Sequence, residues 1–289
     1  MTTAITTTED RIAALNDILE DMGAGFTAEF TRNYKDNMIR DAIALRSEEY
    51  NCAPVIYMDP ELESMDDSEL AEHLIKMFKQ EAKNICIKDL INRENVLKTV
   101  QPKLVSGINI PSFEEKHIPF VKFEDLIIYF VIPVPDSIDK NASVQINHSI
   151  LQNLGLSTEE LLPVALDNMS QVATVNGLLN VIADLMGSAP ADASNEKPML
   201  VISNESKISG AAAILCKSVQ ERIASMIGEK YAVLPSSVHE VICVAYKTDE
   251  ELDYLKNTVR EINETEVDEG ERLSNNVYIH MKDTIKLYA

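Results

Sequence analysis

The chain has 289 residues, an apolar share of 45% and a formal charge of -21, enough for one large or two ordinary domains with a sizeable core. So acidic a surface repels nucleic-acid phosphate and anionic lipid, which excludes groove binding to DNA. The longest apolar run, Leu126 to Pro135, is too short for a bilayer-spanning helix and holds two prolines.

The N-terminus is Thr-rich and then acidic, without the basic start and apolar core of a secretory signal. Cys52, Cys86, Cys216 and Cys243 lie far apart with no metal-ligand spacing. Buried free thiols and a cytoplasmic setting follow, so the sequon at Asn141 has no meaning. Neither a metal site nor a cofactor is expected, since His73, His117, His148 and His280 are scattered singly and the nine glycines never cluster into a phosphate-cradling loop.

Taken in chain order, Thr6 and Glu9 have capping-box spacing ahead of a helical stripe at Ile12, Leu15, Ile18, Leu19 and Met22, closed by Gly23. Phe26 to Phe30 reads as a continuation of that helix after a break, and Met38 to Leu45 and Ala53 to Met58 read as strands. Asp59 to Glu72 follows with seven acidic residues in fourteen, Asp59, Glu61, Glu63, Asp66, Asp67, Glu69 and Glu72, and no basic one. Two readings stand: Asp66 and Asp67 cap the helix of Leu70, Leu74, Met77 and Phe78, or the run is an acidic docking surface.

Ile87 to Val105 is predicted to be a helix, followed by a long irregular crossing marked by Gly107, Pro111 and Pro119. Leu126 to Val134, apolar on both faces, is a central strand, and the alternating Ala142 to Ile146 pairs with it. Ser157 and Glu160 repeat the capping-box spacing, although Pro163 leaves the start of that helix open. Val164 to Met186 suggests one or two buried helices interrupted near Asn176 and Gly177.

The stretch 187–198 is the clearest linker, dividing an acidic α+β region, 1–186, from a second region, 199–289. The acidic excess belongs to the first, because residues 199–289 hold 10 Lys or Arg against 15 Asp or Glu, leaving 16 against 32 for the rest. Beyond the linker, Met199 to Ser203 is a strand, and a helical stripe runs from Ala212 to Ile227, stopped by Gly228. Tyr231 to Tyr246 is a hairpin turning at Pro235, Ser236 and Ser237. Thr248 and Glu251 cap a helix buried through Leu252, Leu255, Val259 and Ile262, and Asn276 to Met281 supplies the last strand. The order is βαββαβ, as in ferredoxin-like units, within an α+β fold of mixed or antiparallel sheets. Both faces of the hairpin's second strand look buried, so the front region or a second copy of the chain should cover the face that two helices leave bare, which makes a homo-oligomer an option.

The hairpin holds the only close grouping of Ser, His and Glu: Ser236, Ser237, His239 and Glu240. Ser237 and His239, two apart on one strand, share a face, as a nucleophile and general base need, whereas Glu240 points to the opposite face and cannot orient the imidazole, so a third member must come from elsewhere. Against this, the serines can serve the turn backbone while His239 and Glu240 satisfy polar atoms at the sheet edge.

The block Leu-Pro-Ser-Ser-x-His-Glu at 234–240, with Ser209 to Cys216 before it and Leu273 to Tyr278 after, resembles an uncharacterised bacterial family, domain-of-unknown-function family 5688. Ala53 to Asp59 and Phe123 to Tyr129 resemble two further blocks of that family. The resemblance implies no activity and no catalytic residues; it implies an accessory protein of phages and mobile elements that binds a host or defence protein. The three functions to separate are therefore an interaction protein with an acidic contact surface, a hydrolase or transferase using Ser237 and His239, and a structural or assembly module.

Overall fold

The computed structural model describes residues 8–35, 38–47, 53–81, 87–134, 142–186, 198–235, 237–281 and 284–288. Helices and three antiparallel sheets make an α+β fold, and the chain divides into two compact units, residues 1–92 with 134–142 and residues 93–133 with 143–289.

The first unit runs α1 (Thr8–Asp21), β1 (Thr27–Lys35), β2 (Met38–Arg46), β3 (Val55–Tyr57), α2 (Pro60–Ser64), α3 (Asp67–Glu81) and α4 (Ile87–Leu90). The ladder β1-β2-β3 shares a core with α1 and α3 built from Leu15, Leu19, Phe26, Ile43, Leu45, Leu70 and Leu74. Leu15, Leu19, Leu70 and Leu74 belong to the helical stripes expected of α1 and α3, but Met22 lies past the end of α1 and is 46% exposed; the capping residue Thr6 lies outside the described residues. Phe26 to Phe30 is not more helix. Gly25 at φ 75° turns the chain, and Phe26 and Ala28 are buried while Thr27 and Glu29 are exposed, the two-residue period of a strand.

The second unit runs α5 (Arg93–Thr99), β4 (Gln101–Ser106), a 3-10 turn at 107–109, α6 (Ile110–Glu115), β5 (Val121–Phe123), β6 (Leu126–Pro133), β7 (Ser143–Gln145), α7 (His148–Leu154), α8 (Thr158–Val172), β8 (Ala173–Gly177), α9 (Leu178–Met186) and β9 (Met199–Asn204). A 3-10 segment at 210–215, α10 (Lys217–Ile227), β10 (Tyr231–Leu234), β11 (Val241–Ala245), α11 (Asp249–Thr265), β12 (Tyr278–Met281) and β13 (Thr284–Leu287) complete it.

As its two-sided apolarity demands, β6 is an inner strand, buried from Leu126 to Ile132 and paired with β4, β5 and β7. The single helix expected from Ile87 to Val105 is instead two, α4 and α5, broken at residues 91–92, and β4 follows Thr99. Pro102 is tolerated there because β4 is an edge strand with a free side for the missing N–H. The crossing at 107–119 contains α6, with Pro111 in its first turn. Ser157 closes a complete capping box with Glu160, so α8 starts at Thr158 and carries Pro163 inside it.

The larger sheet has the order β13-β12-β10-β11-β9-β8. The βαββαβ succession from Met199 is present, but the lateral arrangement differs from a ferredoxin-like sheet, whose first and third strands are innermost. Here the hairpin strands β10 and β11 are innermost, because the far edge of β9 is taken by β8 and β12 pairs with β10 instead. The interruption near Asn176 is thus a strand, β8. It precedes the 187–198 stretch and pairs with β9 after it, so both ends of that stretch belong to one sheet; 187–197 lie outside the described residues.

The arrangement also removes the need for an outside cover. Leu252 and Val259 of α11 pack with Ala232, Leu234 and Val244. The alternate residues Tyr231, Val233 and Cys243 are equally buried; α10 lies against β11 and β8, α9 against β8 and β9, and the 210–215 segment against β9. Ile262, expected in the core, is 43% exposed, and the last strand is β13, not β12.

Candidate functional site

Between β10 and β11 the chain needs six residues, Pro235 to Glu240, to reverse, so Ser237 and His239 stand in a loop rather than on a strand; Ser236 lies outside the described residues. The Ser237 hydroxyl explains the length. It accepts from His239 N at 3.1 Å and Glu240 N at 3.3 Å and donates to Glu240 Oε1 at 3.4 Å, building a local serine turn.

Both nitrogens of His239 are occupied. Ser209 N donates to Nδ1 at 3.1 Å, and Nε2 lies 3.2 Å from Glu271 Oε1. An acceptor at Nδ1 puts the proton of the neutral ring on Nε2, which donates to the carboxylate. The side chains of Ser237 and His239 therefore engage different partners, and the nucleophile-base geometry is not assembled.

The segment 203–211 grips this loop along its length. Ser203 Oγ donates to His239 O at 2.8 Å and Ala211 N donates to Val238 O at 3.2 Å, while from the other side Glu271 O accepts from Val238 N at 2.8 Å. Asn204 closes the base of the segment: its Oδ1 accepts from Ile208 N and Ser206 Oγ, and its Nδ2 donates to Ile208 O. The bend is tight enough that Lys207 and Ser209 take left-handed φ values of 58° and 52°, and the buried Ser209 hydroxyl has no partner among the described residues.

Lys207, Ser237, His239, Glu240, Glu266, Val267 and Glu271 line an open cleft of about 330 Å³. Sequence reasoning missed Ser209, Gly210 and Glu271. A Ser-Gly pair at a strand-to-helix bend was a usable signal for the first two, but nothing local marks Glu271, which meets His239 from the far side of α11.

In the first unit, the acidic stretch serves two ends. Asp59 accepts from Leu62 N and caps α2. Asp66 accepts from the backbone of Ser68 and Glu69 while Glu69 accepts from Asp66 N, a reciprocal cap on α3. Asp67 is not a cap: it pairs with Arg11, whose guanidinium also reaches the carbonyls of Glu63 and Met65. The carboxylates of Glu61, Glu63 and Glu72 are exposed and engaged by no side chain among the described residues.

The remaining candidates are spread out. His73 meets Met77 Sδ, the carbonyl of His117 accepts from His148 N, and His280 is buried, stacked on Tyr231 at 4.5 Å with Nδ1 against Glu229 O. Among the described residues no group of His, Cys, Asp and Glu is placed to hold a metal, and no helix is long and apolar enough to cross a membrane. Cys216 and Cys243 are buried. Burial, with Asp167 nearby, pushes the Cys216 thiol up to about 12, and burial alone raises Cys243. Cys52 and Cys86 lie outside the described residues.

A second polar cluster joins the Phe123 to Tyr129 and Leu273 to Tyr278 blocks. Asp125 accepts from Ser274 Oγ at 2.6 Å, from Asn276 Nδ2 at 3.0 Å and from the Tyr278 hydroxyl. Asn263, fully buried on α11, donates to Ser274 O and Asn275 Oδ1. These contacts tie the turn at Asp125 and the 273–276 loop to α11 and β12.

Comparison with curated proteins and with solved structures found no match for the chain. The sequence pattern of a family of unknown function, DUF5688, matches residues 12–282, and the chain belongs to that family.

Proposed function

We propose that this chain is a non-enzymatic interaction protein whose contact surface for a basic protein partner is the carboxylate face of α2 and α3. The observation that carries the reading is the division of labour in that stretch. Asp59, Asp66 and Glu69 are consumed by helix caps and Asp67 by Arg11, yet Glu61, Glu63 and Glu72 remain exposed and their carboxylates are engaged by no side chain among the described residues. Charge that the fold does not use is available to steer and register a cationic partner. A cytoplasmic accessory role on a phage or mobile element, acting on a host or defence protein, is the setting in which such a surface would operate. The hydrolase or transferase reading loses ground because Ser237 and both nitrogens of His239 are already engaged elsewhere.

The test is fluorescence anisotropy with a labelled oligolysine peptide at low and at physiological salt. The triple variant Glu61→Lys, Glu63→Lys, Glu72→Lys should weaken binding about tenfold at low salt, and the difference should shrink as exposed charges are screened. A triple of equal charge in the second unit, Glu114→Lys, Glu159→Lys, Glu221→Lys, controls for net charge. Equal weakening by the two triples removes the proposal.

A further inference from the structure

We propose that His239 is a pH-operated latch on the 204–210 segment, closed while the imidazole is neutral and opened by its protonation. The latch is one hydrogen bond of defined polarity, Ser209 N donating to His239 Nδ1 at 3.1 Å. An imidazole ordinarily takes its second proton near pH 6.5. That proton goes to Nδ1, because Nε2 already carries one toward Glu271 Oε1. An N–H then faces an N–H and the bond is lost. Turning the ring over does not help, since the imidazolium has a donor at both nitrogens.

The surroundings decide which side gives way. Glu271 gains from a positive ring and keeps hold of Nε2, so the histidine stays with the 266–271 side. The other charged groups lining the cleft are Glu240 from the histidine's own loop, Glu266 at the end of α11, and Lys207 from the latched segment. A positive ring repels Lys207, again pushing the segment outward. The segment itself is poised to leave. Lys207 and Ser209 hold left-handed conformations, and the Ser209 hydroxyl is buried without a partner among the described residues; both are costs that release would relieve. Movement would widen the cleft from the Lys207 side while β10 and β11 stay paired.

Hydrogen exchange read by mass spectrometry on the full chain tests this at about pH 7.5 and 5.5, one unit either side of the ordinary histidine value, with intrinsic rates corrected. Peptides covering 205–211 should lose protection about tenfold at the lower pH, and those covering β10 and β11 should not. His239→Asn keeps an acceptor near Nδ1 that cannot be protonated, and its 205–211 protection should be flat across the interval. Unchanged wild-type protection, or the same pH dependence in His239→Asn, overturns the latch. Should that variant fail to fold, Glu271→Gln leaves the Ser209 contact intact and must still show the acid-induced loss. A nitrogen-15 spectrum showing the neutral ring protonated at Nδ1 also overturns it.

Discussion

A β-carbon on Gly210 would stand 2.9 Å from the carbonyl oxygen of His239 and 2.5 Å from Asn204 N, so the backbone at this bend approaches two others at a distance only glycine permits. Both neighbours are main-chain atoms fixed by strand and loop hydrogen bonds and have no rotamer by which to retreat. Gly210→Ala should therefore destabilise the protein by about 2 kcal/mol or more. Ser209→Gly, one residue earlier, should act in the opposite sense: it relieves a left-handed φ and removes an unpartnered buried hydroxyl, for a gain of about 1 kcal/mol. Urea unfolding of the two variants checks the opposed signs, and a neutral Gly210→Ala would show that the bend is looser than described.

The Tyr278 hydroxyl and two further donors converge on Asp125. Removing one donor leaves the carboxylate two others, whereas removing the carboxylate orphans three donors in a half-buried site. Tyr278→Phe should cost about 1 kcal/mol and Asp125→Ala about 3 kcal/mol. The ratio between them in denaturant melts is the informative quantity; equal costs would mean that the cluster is wet and its bonds are exchanged for water.

What could be seen in advance depended on how local each cause was. The caps at Ser157 with Glu160 and at Thr248 are side chains bonding backbone three residues on, so spacing alone reveals them. The hairpin was legible because a proline separates two β-prone runs. The strand state of Ala173 to Gly177 was not, because Thr174 and Val175 are only two β-prone residues at the end of an apolar helical run and Asn176 with Gly177 signals no more than a break; pairing with β9 decides it. The same holds for Gln101 to Ser106, which is a strand because β6 offers it an edge. At the site, the error was one of register. Ser237 was placed on a strand with His239, but its hydroxyl builds a turn of its own, and the partner that orients the imidazole, Glu271, is reached only after the whole of α11 has been traversed.

The two uses of the acidic stretch are separable by mutation. Asp59→Ala and Asp66→Ala each remove a side chain that accepts backbone N–H groups at a helix start and should each cost about 1 kcal/mol. Glu61→Ala and Glu72→Ala touch no such bond and should stay within about 0.5 kcal/mol of the parent. Thermal melts of the four single variants decide it; a cost at Glu72 equal to that at Asp66 would show that the exposed carboxylates are structural and would weaken the case for a docking face.

Alkaline pH should unfold this protein through groups that burial keeps protonated. Tyr231 is raised by burial, with Cys243 and Glu229 adding to it; Tyr278 is raised by burial and by its bond to Asp125; Cys216 is pushed up to about 12 and Cys243 is raised as well. In each case the folded value lies above the unfolded one, so below the unfolded value both states hold the proton and the stability is fully present. As pH rises past about 9 for the thiols and about 10 for the phenols, the unfolded chain releases protons that the native state retains, and each such group costs about 1.4 kcal/mol per pH unit until its folded value is reached. Unfolding free energies should accordingly fall steeply above about pH 9, and Tyr278→Phe should flatten the slope above pH 10 by the share of one group. Phenolate absorbance gives the independent check: the native protein should leave at least Tyr231 and Tyr278 untitrated where the denatured chain has ionised them, and a native titration matching the denatured one would contradict the burial of Tyr231 and Tyr278.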